Sequence, residues 1–273
     1  MSKNIVTLFL LSFLVLWGST ISATAEGYQP LRVEPSRFIF EAEPGKQVTG
    51  TLQVSNNGAE PATVRAILSD WTLGPNNELK SLEPNTLKST LHNWIKFNPR
   101  QFTIAPGKTQ TVRFSIKIPQ GISQVEQRGL IGFEQTIPYQ GELTGADIKV
   151  QVASTIYVSI PPIERKCMVV GSQLEISSSE GNSSFHLNLR GIGSAHFRGT
   201  GSFQIYIPGE KEPITSGSLG PLVVLPEVET RFSGDIDQIL PPDTYHIVVE
   251  VLAEDNLTDP VIRQIYAYTV PKL

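Results

Sequence analysis

From residue 31 onward, apolar side chains recur at every second position in short runs, and each run is closed by a turn signal. Val48, Leu52 and Val54 lead to Asn56-Asn57-Gly58, where an Asn-Gly pair is expected to turn the chain through positive φ. Residues 63–68 make the next run. Pro106-Gly107 then turns into Val112, Phe114, Ile116 and Ile118, which alternate with Arg113, Ser115 and Lys117 until Pro119 stops the strand. This two-residue period is that of half-buried strands. No apolar stripe at helical spacing exceeds about two turns. The pattern predicts an all-β chain, with strands roughly every ten residues packed as antiparallel sandwiches.

The rhythm stops at Pro161-Pro162 and restarts with Phe185, Leu187 and Leu189, then Phe203, Ile205 and Ile207, then residues 245–252 and 261–270. Two prolines have fixed φ and no backbone donor, so they suit a short stiff joint between compact units. The expected organisation is a first immunoglobulin-like sandwich over residues 26–163 and a second over 164–273. Leu240-Pro241-Pro242-Asp243-Thr244-Tyr245 reads as a tyrosine corner before a strand of the second sandwich. Trp71 and Trp94 read as core and rim packing.

Ahead of the strands, Lys3 precedes an apolar stretch over residues 5–17, and Ala23-Thr24-Ala25 supplies small residues. About 13 apolar residues are too few for a bilayer core that takes roughly 20 in a helix. The pattern is that of a secretory signal over residues 1–25, with the mature chain starting at Glu26. It predicts export to the periplasm or beyond, with no stable membrane insertion. The 22 Gly and 20 Pro are scattered rather than clustered, as turns rather than a disordered tract require. A net charge of −4 with no Lys/Arg block argues against nucleic acid as a partner. A single cysteine, Cys167, forbids an internal disulfide and reads as a small buried hydrophobe. The four histidines lack zinc-site spacing, and no nucleophile elbow, phosphate loop or dinucleotide fingerprint is present. No cofactor, metal or catalytic constellation is expected.

Several segments together resemble the periplasmic pilus-assembly chaperones of the chaperone–usher pathway, the PapD-like family. Val33-Glu34-Pro35-Ser36-Arg37-Phe38-Ile39-Phe40 looks like that family's first strand, with Arg37 at its basic position. Thr51-Leu52-Gln53-Val54-Ser55-Asn56 resembles the second strand, and Phe97-Asn98-Pro99-Arg100-Gln101-Phe102-Thr103-Ile104-Ala105-Pro106-Gly107 its central proline-rich turn. Residues 126–138 and 148–161 look like the closing pair of strands. The resemblance implies a chaperone or assembly factor whose client, a pilus or surface subunit, is an incomplete sandwich completed by a strand lent from the chaperone. It further implies that an Arg and a Lys grip the client's terminal carboxylate. Arg37 matches the Arg, whereas Ile156 falls where the Lys belongs.

The strand over residues 148–160 fits the lending role by its own pattern. Thirteen residues at about 3.3 Å span roughly 43 Å, and Ile148, Val150, Val152, Ile156, Val158 and Ile160 share one face, interrupted only by Ser154. The strand is expected at a sheet edge with its backbone open to a client or to a second copy, and Arg37, Ile148, Val150, Val152, Ile156 and Val158 are the candidate client-binding residues. So long a strand could instead pack one half inward and offer the other. The competing function is a structural or adhesive envelope protein whose sandwiches act as spacers.

Overall fold

The computed structural model describes residues 31–122, 125–137, 147–176 and 183–271. The expected signal sequence over residues 1–25 and the expected start of the mature chain at Glu26 lie outside the described residues.

Among the described residues, ten strands build the first sandwich: β1 (Leu31–Glu34), β2 (Arg37–Glu41), β3 (Gln47–Asn56), β4 (Ala62–Leu73), β5 (Leu79–Leu82), β6 (Ile95–Asn98), β7 (Gln101–Ile104), β8 (Thr109–Lys117), β9 (Gln127–Ile137) and β10 (Ile148–Ser159). One sheet has the order β1-β3-β8-β6; the other has the order β2-β10-β9-β4-β5, with β7 also on β4. Alternation explains the layering. Leu52, Val54, Val112 and Ile116 are fully buried, while their neighbours Thr51, Gln53 and Arg113 face water. Each such aliphatic side chain contributes about 1.5–3 kcal/mol by leaving water. Phe38, Phe40 and Phe114 meet between the sheets, with the Phe38 and Phe114 rings edge to face at 4.9 Å.

Among the described residues, seven strands build the second sandwich: β11 (Cys167–Ile176), β12 (Ser183–Gly191), β13 (Phe197–Tyr206), β14 (Thr215–Val224), β15 (Glu229–Ile236), β16 (Thr244–Ala253) and β17 (Ile262–Thr269). They form the sheets β11-β12-β15 and β14-β13-β16-β17 around a separate core that includes Phe185, Phe203, Ile205 and Val249. The tyrosine corner is present, with the Tyr245 hydroxyl donating to the Pro241 carbonyl at 2.7 Å. Cys167 is half-buried against this core, and burial pushes its thiol pKa up to about 11.

One turn differs from the expectation. Neither Asn57 nor Gly58 adopts positive φ; Gly107, in the Pro106-Gly107 turn, does so at 65°. The loop after β3 is instead held by the side chain of buried Asn56. Its amide donates to the carbonyls of Glu60 at 2.7 Å and Ile104 at 3.0 Å, and its oxygen accepts the Gly58 N–H at 2.9 Å. An Asn side chain that closes its own turn removes the need for a left-handed residue.

Candidate functional site

Strand β10 is paired unevenly. Along one side it runs antiparallel to β9 without a register break, from Ile148 opposite Ile137 to Val158 opposite Gln127. Along its other side β2 pairs in parallel only from Thr155 to Ser159. Among the described residues, no strand pairs with that side of residues 148–154. The second half of β10 is therefore a central strand and the first half an edge.

Parity fixes which backbone groups face the open edge. The Thr155 N–H donates to the Ser36 carbonyl on the β2 side at 3.0 Å. In a regular antiparallel pair, residues two apart point their N–H and C=O the same way. Lys149, Gln151 and Ala153 therefore direct their backbone groups to the open side, while Ile148, Val150 and Val152 direct theirs to β9. The expectation of an edge along the whole strand is corrected to residues 148–154, and Val152 is not an edge donor.

The side chains divide at the same place. Ile156 and Val158 are 0 % exposed inside the first core. As placed here they cannot meet a client, which corrects their assignment as client-contacting residues: the ladder with β2 turns that half of the stripe onto Phe38 and Phe40. Ile148 is 62 % exposed, Val150 is intermediate, and Val152 is half-buried against the core. Ser154, the polar interruption, is wholly buried, and its hydroxyl donates to the Pro35 carbonyl at 2.8 Å. That bond clasps the junction of β1 and β2 at the point where the edge closes.

Arg37 opens β2 opposite Thr155, is exposed, and makes no ion pair among the described residues. The facing position of the resembled Lys is filled by buried Ile156, one residue along the ladder. Two residues beyond Arg37, Ile39 lines a cleft of about 620 Å³ between the sandwiches, with Arg165, Lys166, His196 and Arg198 on the other walls. These cations are already matched to carboxylates: Arg165 with Glu41 at 2.7 Å, Lys166 with Glu164 at 3.5 Å, and Arg198 with Glu254 at 2.9 Å. Arg37 and this cleft do not combine into a two-cation grip.

Beside the cleft lies a buried polar contact that the sequence pattern did not reveal. Glu126 is 0 % and His196 1 % exposed. One carboxylate oxygen, Oε2, lies 2.6 Å from His196 Nδ1 and accepts from Ser159 Oγ at 3.0 Å, while the Glu126 N–H donates to the Ser194 carbonyl at 2.8 Å. Arg128 Nη1 sits 3.7 Å from the other oxygen. Burial lowers the Arg128 pKa, opposed by the Glu126 charge. Tyr157 stacks near the His196 ring with centroids 4.1 Å apart, and burial pushes its pKa up to about 12. Beside this cluster, Leu225 of the second sandwich is fully buried against Trp71, Leu130 and Tyr157 of the first. Trp71 is thus an interface side chain, its ring edge-on to Tyr157 at 5.2 Å.

No family description and no curated protein matches the chain. Solved structures do resemble it over most of its length. A chaperone–tip adhesin complex of CFA/I fimbriae biogenesis aligns at 12 % identity over 89 % of this chain and 99 % of that one, with a TM-score of 0.45. The class 5 fimbriae chaperone CfaA aligns at 11 % identity over 89 % and 100 % of the two chains, also at 0.45. The CsuC–CsuE chaperone–tip adhesion subunit complex of Acinetobacter baumannii aligns at 12 % identity over 87 % and 97 %, at 0.43. Resemblance at this level is one of chain path, and the chemistry of β10 and of the cleft has to be taken from this chain's own residues.

Proposed function

We propose that the protein is an exported, non-enzymatic chaperone or assembly factor that binds a protein client, a pilus or surface subunit, by adding the first half of β10 to the client's sheet. The observation that carries this reading is the division of β10 at Thr155. Behind it the strand is anchored by two neighbours; ahead of it, no strand among the described residues pairs with one side of residues 148–154, while β9 holds the other. A strand anchored in this way is pre-organised for pairing, which lowers the entropic cost of binding. Backbone groups of Lys149, Gln151 and Ala153 supply hydrogen bonds, and the side chains of Ile148, Val150 and Val152 supply the alternating apolar contacts. Arg37 has a subordinate role as a single cation beside the edge, available to a client carboxylate.

The test is co-purification from the native extracytoplasmic fraction with tagged wild-type protein, Gln151→Pro and Arg37→Ala, partners being identified by mass spectrometry. A client captured by wild type, lost with Gln151→Pro and only weakened with Arg37→Ala supports strand addition. Undiminished capture by a folded Gln151→Pro protein refutes it and leaves the spacer reading in place. Pairing through the same edge between two copies would appear as a concentration-dependent dimer that Gln151→Pro abolishes.

A further inference from the structure

The outer face of the sheet β1-β3-β8-β6 has a charge balance opposite to that of the chain. The whole sequence has 26 acidic and 22 basic residues. These four strands carry Arg32, Lys96, Arg113 and Lys117 against one carboxylate, Glu34. Arg32 occupies Glu34 through an ion pair. Lys96, Arg113 and Lys117 are exposed and make no ion pair among the described residues.

Between the cations the face is lined by hydroxyls and amides. Lys96 stands opposite Ser115, which stands opposite Thr49; Asn98 stands opposite Arg113, which stands opposite Thr51. These two rows border a shallow depression of about 560 Å³ whose lining also includes Gly50, Phe97 and Phe114. Phe97 and Phe114, on the same strands, point inward and are buried. None of the exposed large apolar side chains belongs to these strands.

We infer that this face binds an acidic polysaccharide. A protein partner is anchored by large apolar or aromatic side chains that it can desolvate, and among the described residues this face exposes none, Phe97 and Phe114 being buried. The missing exposed ring equally removes the stacking platform that a neutral sugar uses. What the face offers is unpaired positive charge on strands roughly 4.8 Å apart, with Thr, Ser and Asn groups between that both donate and accept hydrogen bonds. A chain of uronic acids presents the matching chemistry, carboxylates at regular intervals with hydroxyls between them. The face lies on the sheet that does not contain β10, so this inference is independent of strand addition.

The probe is an oligogalacturonate of defined length, titrated calorimetrically at 20 mM and 300 mM salt, with the fully methyl-esterified oligomer and a poly-glutamate of equal charge as comparators. Binding by the free acid at low salt, about tenfold weaker or worse at high salt because exposed charges are screened, is expected. The esterified oligomer should not bind, and poly-glutamate should bind at least about tenfold more weakly, since its backbone lacks the ring hydroxyls. Lys96→Glu with Arg113→Glu should abolish binding, whereas Lys211→Glu in the second sandwich should leave it unchanged; Lys96→Gln with Arg113→Gln serves if the reversal fails to fold. No binding of the free acid, equal binding of the ester or of poly-glutamate, or equal weakening by Lys211→Glu would overturn the inference.

Discussion

Proline at two adjacent positions of β10 separates edge from ladder. The Val152 N–H points to β9, opposite Phe133. Val152→Pro deletes that bond and leaves a Phe133 carbonyl without its donor inside a sheet whose other side is paired to β4 at Ala66. A lost ladder bond with ring clash costs about 3 kcal/mol or more, and truncating the half-buried valine adds to it. For a sandwich of this size, a melting point lower by on the order of 10 °C follows. Gln151 is exposed and directs its N–H to the open side, so Gln151→Pro removes no ladder bond and is an edge proline of the kind sheets tolerate. Its cost should stay within about 1 kcal/mol. The assay is thermal and urea unfolding of the two variants beside wild type, followed by near-ultraviolet circular dichroism. Equal destabilisation, or a larger loss for Gln151→Pro, would refute the parity assignment and with it the open edge.

Two other variants probe the joint and the thiol. Leu225→Ala empties the contact with Trp71 and should cost about 2–5 kcal/mol, with a red shift of tryptophan emission as water reaches the indole; unchanged emission and stability would mean that the sandwiches do not share this contact. Because burial holds the Cys167 thiol at a pKa of about 11, its thiolate is scarce at pH 8. Alkylation there should be on the order of a hundredfold slower than for a free thiol and should keep rising towards pH 11; a rate that levels off near pH 9 contradicts this environment.

Alternation made the layers legible. The runs around Val54, Ile116, Leu187 and Ile205 all lie in strands with those side chains in a core, because burial of one face enforces a two-residue period directly on the sequence. The short strands β5, β6 and β7 were not legible, since four residues hold too few alternations to stand out. Within β10, Ile148 and Ile156 look alike in sequence; only the neighbouring β2, a product of the whole fold, makes one exposed and the other core. The direction of the Val152 N–H is likewise invisible, because side-chain alternation does not reveal which flank carries the neighbour. Ser154 was visible as an interruption, but its partner is the Pro35 carbonyl, 119 residues away. Glu126 and His196 carry no local signal at all, as their pairing depends on how two separately patterned sandwiches meet.

Residue-resolved amide hydrogen exchange along β10, measured in the free protein and in its complex with a captured client, tests strand addition most directly. In the free protein the amides of Lys149, Gln151 and Ala153 should exchange rapidly and those of Val150 and Val152 slowly, giving an alternation that ends at Thr155. In the complex the three fast amides should become protected while the rest are unchanged. Slow exchange of all five amides in the free protein, or a complex in which Lys149, Gln151 and Ala153 remain fast, would contradict it.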